Sequence, residues 1–299
     1  MDCEDTDSPA SIYVHDLMWV ANSPSLISHG RESASPGDAG VSFDVAMDQP
    51  SLSSLQIDPR HLEQFVAEHR AHAVGRYFES LVYYWLRHIR GLEILMRNEQ
   101  IKKAGRTIGE IDLVFRDEQQ RVVHWETAVK YYLHFPQPNA FCSDYVGPNS
   151  RDNLDRKVER LFGHQLKQSI GGPIPVESRL AFVKGCIFYH PRTMPDNRTH
   201  HRLHAEHLRG LWIHSSEAGQ LPEPGDWSYR WMRKPHWLAT TSNQLPSIPS
   251  TEINRWVHQQ FEQSNRPIML CVDRSADTAD VQPDRIMIVS DQWPNDCGN

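Results

Sequence analysis

Two alternating segments, separated by a short polar break, constrain the fold of this chain more than any other feature. Residues 109–115 and 122–132 alternate in the manner of β-strands, and the break at 117–120 is short enough to join them as an antiparallel hairpin. Because side chains two residues apart share a face of a strand, Glu110 and Asp112 point to the same side of the first segment. The hairpin therefore carries two acids on one face.

The second segment also carries charge on one face, which holds Glu126, Ala128 and Lys130. Carboxylates thus lie where a hydrophobic interior would be expected, and a buried carboxylate without a partner either becomes neutral or binds a cation. Two interpretations follow from the hairpin alone. Oxygen ligands from the two neighbouring strands hold a hard divalent ion such as Mg²⁺, or one strand lies at a sheet edge with its acids facing solvent.

Composition and charge describe an ordinary soluble protein, with 23% charged and 39% hydrophobic residues among 299. No run is apolar enough to span a bilayer, and the first residues are acidic where a secretory signal would be basic. The five cysteines include no Cys-X-X-Cys pair, which favours reduced thiols and a cytoplasmic location over a zinc ribbon or a disulfide framework. The net charge of −7 disfavours bulk coating of nucleic acid but permits local binding of phosphate.

Apolar residues at helical spacing over residues 61–89 predict two helices, with Gly75 between them. Glu79 lies on the second helix, close to its buried stripe. Taken alone, Glu79 is more typical of a surface acid paired with Arg76 or Arg87 than of a site residue.

The remaining patterns divide the chain into three parts. We expect a short helix and a long surface loop or linker over residues 1–60, a core over 61–190, and a C-terminal extension over 191–299. Within the core, the patterns predict a strand at 92–102, a helix at 151–169 and a buried strand at 179–190. In the extension they predict a helix at 251–262 and strands at 267–272 and 285–289, which either extend the central sheet or form a small lobe.

The helix predicted over residues 151–169 has a face of positive or polarisable side chains, namely Arg156, Arg160, His164 and Lys167. Such a face is usually solvated. Beside a carboxylate site it would also be a row of phosphate-binding groups, and the neighbouring Lys157 is a further candidate for phosphate binding.

The predicted order of elements is helix, three strands, helix and strand, and the acids lie at defined positions within it. With a helical Glu79, Gly-Glu-Ile-Asp-Leu at 109–113 and Glu126 before Lys130, residues 62–190 resemble the core of the PD-(D/E)XK nuclease superfamily. More narrowly, segments 75–79, 124–130 and 152–157 resemble the uncharacterised bacterial domain-of-unknown-function family 1853. This resemblance implies an α/β fold: a restriction-endonuclease-like αβββαβ core with a mixed central sheet, followed by a C-terminal α+β extension.

The resemblance also implies a set of site residues. Asp112 and Glu126 would ligate Mg²⁺ or Mn²⁺, with the Thr127 carbonyl as a third ligand. Glu79 would act through a water, and Lys130 would orient or activate the attacking water. Such a site would hydrolyse phosphodiester bonds, because the cation activates water and offsets charge on the phosphoryl oxygens.

One departure from the superfamily pattern concerns the lysine, which usually lies two residues after the acid, where this chain has Ala128. Lys130 shares the face of Glu126 but lies about 13 Å from it along an ideal strand. A bulge could bring Lys130 back, its long stem could span part of the distance, or Lys157 could replace it. Otherwise the site would bind metal and cut poorly.

Two patterns in the C-terminal part are less specific. The histidines are more typical of solvent-facing side chains than of a zinc site; they are His200, His201, His204, His207 and His214. A tryptophan-rich segment interleaves aromatic and basic residues, which can stack bases but more often pack a hairpin. Its members are Trp227, Arg230, Trp231, Arg233, Lys234 and Trp237.

These observations lead to one hypothesis and two alternatives. The leading hypothesis is a cytoplasmic, Mg²⁺-dependent nuclease that acts on DNA in preference to RNA, with a homodimer as an option that related nucleases use. The first alternative is a catalytically silent module that binds a nucleic acid or a protein on the same fold. The second is a structural protein with no ligand at this site.

Overall fold

The computed structural model describes residues 9–28, 42–46, 49–103, 105–138, 142–168, 175–193, 200–221, 228–240, 245–273 and 284–294. The helices in these ranges are α1 (Pro9–Asn22), α2 (Pro59–His69), α3 (Val74–Tyr84), α4 (Leu154–Gly163) and α5 (Ser250–Gln263). The strands are β1 (Ser42–Val45), β2 (Glu93–Lys103), β3 (Arg106–Arg116), β4 (Val122–His134), β5 (Tyr145–Val146), β6 (Ser178–Tyr189), β7 (Leu208–His214), β8 (Ser228–Met232), β9 (Ser247–Pro249), β10 (Ile268–Asp273) and β11 (Arg285–Val289).

These strands form one mixed sheet in the order β2-β3-β4-β6-β7-β11-β10-β8-β9. The pairs β4–β6, β6–β7 and β7–β11 are parallel, and the hairpin β3–β4 is antiparallel. The short strands β1 and β5 pair with β6 and β4. The chain is therefore an α/β protein with a large mixed sheet, and its C-terminal strands extend that sheet.

Both sets of alternating side chains of β4 are buried, because helices cover both faces of the sheet around this strand. On one face, Trp125 stacks on Phe182 of β6 at a ring distance of 4.7 Å, and Trp85, directly after α3, packs on Phe182 at 5.9 Å. On the other face, Ala128 and Tyr132 join the apolar stripe of α4 in a second core. A strand buried on both faces is typical of parallel sheets.

Local capping fixes where two of these helices begin. The Asp58 side chain accepts hydrogen bonds from the backbone N–H groups of Arg60 and His61 at the start of α2. The Asn153 side chain accepts one from Arg156 N–H at the start of α4. Side-chain oxygens at this position satisfy N–H groups that the helix itself leaves unpaired.

Two local expectations were wrong. Gly75 lies inside α3, and the helix break falls at residues 70–73, where Arg70 adopts a left-handed conformation with φ of 43°. The predicted loop contains β1, which gains its hydrogen bonds from β6 rather than from local sequence. Residues 29–41 of that loop lie outside the described ranges. In the described part of the chain, no helix is both long and apolar enough to cross a membrane.

The pairing of β4 has a gap that positions the charged residues. On its β3 side, the ladder with β3 ends at the Leu113–Trp125 pair, and β5 begins only at the Leu133–Val146 pair. Beyond Leu113, β3 pairs only with β2 among the described strands. The two strands of the central hairpin therefore diverge, and the edge of β4 at residues 127–132 faces an opening.

Candidate metal centre

Asp112 lies at the point where β3 and β4 diverge. Its Oδ2 accepts a hydrogen bond of 2.8 Å from the backbone N–H of Thr127. A side chain thus satisfies the first N–H that the ladder no longer pairs. Because the N–H and C=O of one strand residue point to the same side, the Thr127 carbonyl also faces the opening.

Glu126 is 1% exposed, and both of its carboxylate oxygens have partners. Oε1 lies 2.9 Å from His124 Nε2, and Oε2 accepts a hydrogen bond of 2.6 Å from Gln165 Nε2. Gln165 lies in the short turn of helix that follows α4. The carboxylate is therefore held between its own strand and the α4 face of the sheet.

The two acids share one electrostatic environment. Burial, followed by the charge of Glu126, raises the pKa of Asp112 to about 7. Burial raises the pKa of Glu126 to about 7 as well, against the opposing effect of Lys157. Ionising both acids at neutral pH is therefore costly, and a bound cation would offset that cost.

His124, which lies beside Glu126, is a neutral imidazole at neutral pH. Burial, followed by the charge of Arg179, lowers the pKa of His124 to about 4. Its Nε2 donates to Glu126 when that carboxyl group is ionised and accepts when it is protonated. Its Nδ1 is buried and has no hydrogen-bond partner among the described residues.

Lys157, on α4, is linked to Glu126 through Gln165. Its Nζ donates a hydrogen bond of 3.2 Å to Gln165 Oε1, so that Gln165 bridges it to Glu126. Burial and Lys130 lower its pKa, whereas Asp112 and Glu126 raise it. The Lys157 ammonium group thus interacts electrostatically both with the two carboxylates and with Lys130.

Lys130 engages a different acid. Its Nζ donates to Asp152 Oδ2 at 2.5 Å, and Tyr132 Oη donates to the same oxygen at 3.2 Å. The β4–β6 register runs without a break from Val123 to His134, so no bulge moves Lys130 toward Glu126. Its predicted catalytic role stays a prediction.

Glu79 on α3 is half-buried and belongs to the same group of acids. Burial, followed by the charges of Asp112 and Glu110, raises its pKa to about 7, and Arg76 and Arg97 oppose the shift. All of these residues except Asp112 line a cleft of about 630 Å³ between α3 and the β2–β3 hairpin. The predicted helical acid thus lies within electrostatic range of Asp112.

The predicted phosphate-binding row is exposed, but the helix predicted over 151–169 is shorter than expected. Arg156 and Arg160 lie on α4, whereas His164 and Lys167 follow its end at Gly163. All four side chains of the row are exposed. His164 Nδ1 lies 3.3 Å from Gln168 Nε2. Their role in phosphate binding stays a prediction.

The C-terminal histidines and tryptophans have structural contacts. His207 is 4% exposed and lies 2.8 Å from Tyr189 Oη, so solvent exposure was the wrong expectation for it. Trp237 is buried and donates to the Met232 carbonyl, which agrees with packing. Trp227 lies outside the described residues.

The donor set fits a hard divalent cation. In the described ranges, no three His, Cys, Asp or Glu side chains gather to hold a metal on their own. Mg²⁺, however, is commonly bound through one or two carboxylates and keeps several waters. Asp112 and Glu126 would supply two carboxylates, and the Thr127 carbonyl faces the opening beside Asp112.

The comparison with known families gives one match. Residues 15–289 match the family model described as Domain of unknown function (DUF1853). The chain belongs to this family. No curated protein and no solved structure matches it.

Three site residues of this DUF1853 chain were not found from sequence. His124 precedes Glu126 by two residues, so strand alternation alone could have placed the two side chains together. Gln165 and Asp152 lie in a short turn and a loop. No periodic pattern marks their contacts with Glu126 and Lys130.

Proposed function

We propose that this protein is a nuclease that hydrolyses phosphodiester bonds with the help of Mg²⁺ or Mn²⁺. The observation that carries the proposal is a chain of hydrogen bonds at the point where β3 and β4 diverge. Lys157 bonds to Gln165, Gln165 bonds to Glu126, and the next residue, Thr127, bonds to Asp112. DNA in preference to RNA, and pairing of two copies to cut two strands, stay predictions.

The roles of the residues follow from their surroundings. Asp112, Glu126 and the Thr127 carbonyl would hold the cation. The chemistry that it supplies when bound is activation of water and neutralisation of charge on the phosphoryl oxygens. Glu79 lies within electrostatic range of Asp112 and would position a water.

Lys157 would take the part that the resemblance gives to Lys130. Its ammonium group is within electrostatic range of both acids, and its hydrogen bond to Gln165 restricts its orientation. An ammonium group that is partly shielded from solvent, as Lys157 is, donates to an attacking water or to a phosphoryl oxygen more strongly than an exposed one does. Gln165 is then a positioning residue between Lys157 and Glu126.

Cleavage of a mixed panel tests the proposal. Supercoiled, single-stranded and branched DNA and RNA would be incubated with the wild type in Mg²⁺, Mn²⁺ or chelator, beside Glu126→Gln and the exposed-site control Asp155→Asn. We expect metal-dependent cleavage by the wild type and the control only. Cleavage that persists in Glu126→Gln would refute the assignment.

The alternative is a silent module that binds nucleic acid or protein on the same fold. One observation favours it: both oxygens of Glu126 already accept hydrogen bonds or pair with His124. To bind a metal, Glu126 must give up at least one of these two partners, His124 or Gln165. Binding of nucleic acid without cleavage in any metal would select this alternative.

A further inference from the structure

A pocket of about 310 Å³ opens at the gap in the pairing of β4. Its floor is residues 129–132 of β4, and its sides come from the loop at 147–152 and from the start of α3 at Val74. Lys234 and Trp237 complete the lining. This pocket is distinct from the cleft that contains Glu79.

The open edge of β4 supplies hydrogen-bond donors to this pocket. The Thr127 N–H points into the gap, as its bond to Asp112 shows. N–H groups two residues apart point to the same side of a strand, so those of Val129 and Tyr131 also face the gap. No described strand pairs with β4 there, which leaves these two donors for a ligand or for water.

The charge of the pocket favours an anion. Three cations line it, namely Lys130, Arg151 and Lys234, and its one acid is Asp152. Their formal sum is three positive charges less one, or +2, in a chain whose net charge is −7. Converging N–H groups and ammonium groups are the usual partners of phosphate oxygens.

The pocket also has an apolar side. Val74, Val129 and Trp237 contribute to its lining, and the Lys234 ammonium lies 4.5 Å from the centre of the Trp237 ring. A ligand that carries both an anionic group and a flat or apolar group matches this lining. A nucleotide is such a ligand.

The position of the pocket connects it to the metal centre. Thr127, whose N–H bonds to Asp112, precedes Val129 of the pocket floor by two residues on the same open edge of β4. Lys130 follows Glu126 by four residues, or about 13 Å along β4. A chain molecule bound at the carboxylates would therefore continue along the open edge of β4 into the pocket.

We propose that this pocket is a second phosphate subsite, which holds a phosphate of the same nucleic acid strand beside the one that is cut. Lys130 and Lys234 bind that phosphate, and the apolar side contacts the attached sugar and base. This inference rests on the proposed function, and it assigns Lys130 to substrate binding and Lys157 to the reaction.

Binding without cleavage tests the subsite directly. The full chain would be titrated into a fluorescently labelled single-stranded oligonucleotide in chelator, and binding followed by anisotropy at several salt concentrations. Lys130→Gln and Lys234→Gln are the test variants. Arg255→Gln is the matched control, since Arg255 is exposed on α5 and lines neither the pocket nor the Glu79 cleft.

Each test variant should bind the oligonucleotide about 5- to 10-fold more weakly than the wild type. The slope of log K against log salt should fall by about 0.7, the value for one lost contact with a single strand. Because Lys234 is exposed, its variant tests the subsite even if Lys130→Gln unfolds. Binding equal to that of Arg255→Gln in both variants would overturn the proposal.

Two further arms separate the possible outcomes. Inorganic phosphate that displaces the oligonucleotide at an equal concentration of phosphate groups would mark a site for free phosphate and overturn the subsite. Weakened binding in a protein that never cleaves would keep the subsite and refute the nuclease. Metal-dependent cleavage with unchanged binding in both lysine variants would keep the nuclease and refute the subsite.

Discussion

Asp112→Asn should make the metal-free protein more stable at pH 8. The pKa of Asp112 rises from 3.8 to about 7 in the folded chain, mainly through burial and then through Glu126. One pKa unit corresponds to about 1.4 kcal/mol, so three units set an upper limit of about 4 kcal/mol. Asparagine has nearly the same shape and carries no charge. Allowing half of the limit for solvent and relaxation, we expect a gain of roughly 2 kcal/mol, or about 4 °C in Tm.

The effect should depend on pH with a definite sign. An acid whose pKa is higher in the folded than in the unfolded state contributes fully to stability below about pH 4. That contribution is lost as the pH rises to about 7. Asparagine has no ionisable group, so the variant does not lose stability in this way as the pH rises. The advantage of Asp112→Asn should therefore be small at pH 4, partial at pH 5 and full at pH 8.

Thermal unfolding in chelator from pH 4 to pH 8.5, at one scan rate, measures this difference. Asp155→Asn is the control of opposite sign, because hydrogen bonds from Ser143 and His200 outweigh burial and lower the pKa of Asp155. That variant should lose stability at high pH. An Asp112→Asn protein that is no more stable than the wild type at pH 8 would refute the electrostatic reasoning.

Three further predictions concern the site and its support. Mg²⁺ should raise the Tm of the wild type at pH 8 but leave that of Glu126→Gln unchanged; an equal rise would place the cation elsewhere. Lys157→Met should lower kcat roughly 100-fold with a smaller change in KM, as steady-state kinetics would show, whereas a pure KM effect would make Lys157 a binding residue. Gly185→Ala should destabilise the fold by about 3 kcal/mol or more in chemical denaturation, because a Cβ at its φ of +150° would lie 1.8 Å from the Lys130 carbonyl oxygen. A near-neutral change would mean that β6 can shift away from β4.

The hairpin and its acids could be predicted from sequence because they depend on local periodicity. Alternation over residues 109–115 and 122–132 is a property of each strand, and β3 and β4 do form over these residues. Asp112 of β3 accepts a hydrogen bond from Thr127, the residue that follows Glu126 in β4. The helix, three strands, helix and strand of the predicted core also occur in that order, with the short β5 inserted.

The rest depended on contacts between distant parts of the chain. Sequence spacing gives the face of Lys130 but not its partner, because Asp152 comes from a loop whose path is set by tertiary packing. The same holds for β1, a four-residue strand that exists only because β6 offers it an edge. The gap in β4 has no sequence signal either, since residues 127–132 continue the strand pattern without interruption.

The most direct test of the central claim is whether Asp112 and Glu126 form one divalent-cation site. Electron paramagnetic resonance of Mn²⁺, titrated with the full chain at pH 8, measures bound and free ion without any nucleic acid. We predict one bound Mn²⁺ per chain in the wild type and in Asp155→Asn, and loss of that binding in both Asp112→Asn and Glu126→Gln. Unchanged Mn²⁺ binding in either of these two variants would contradict the account.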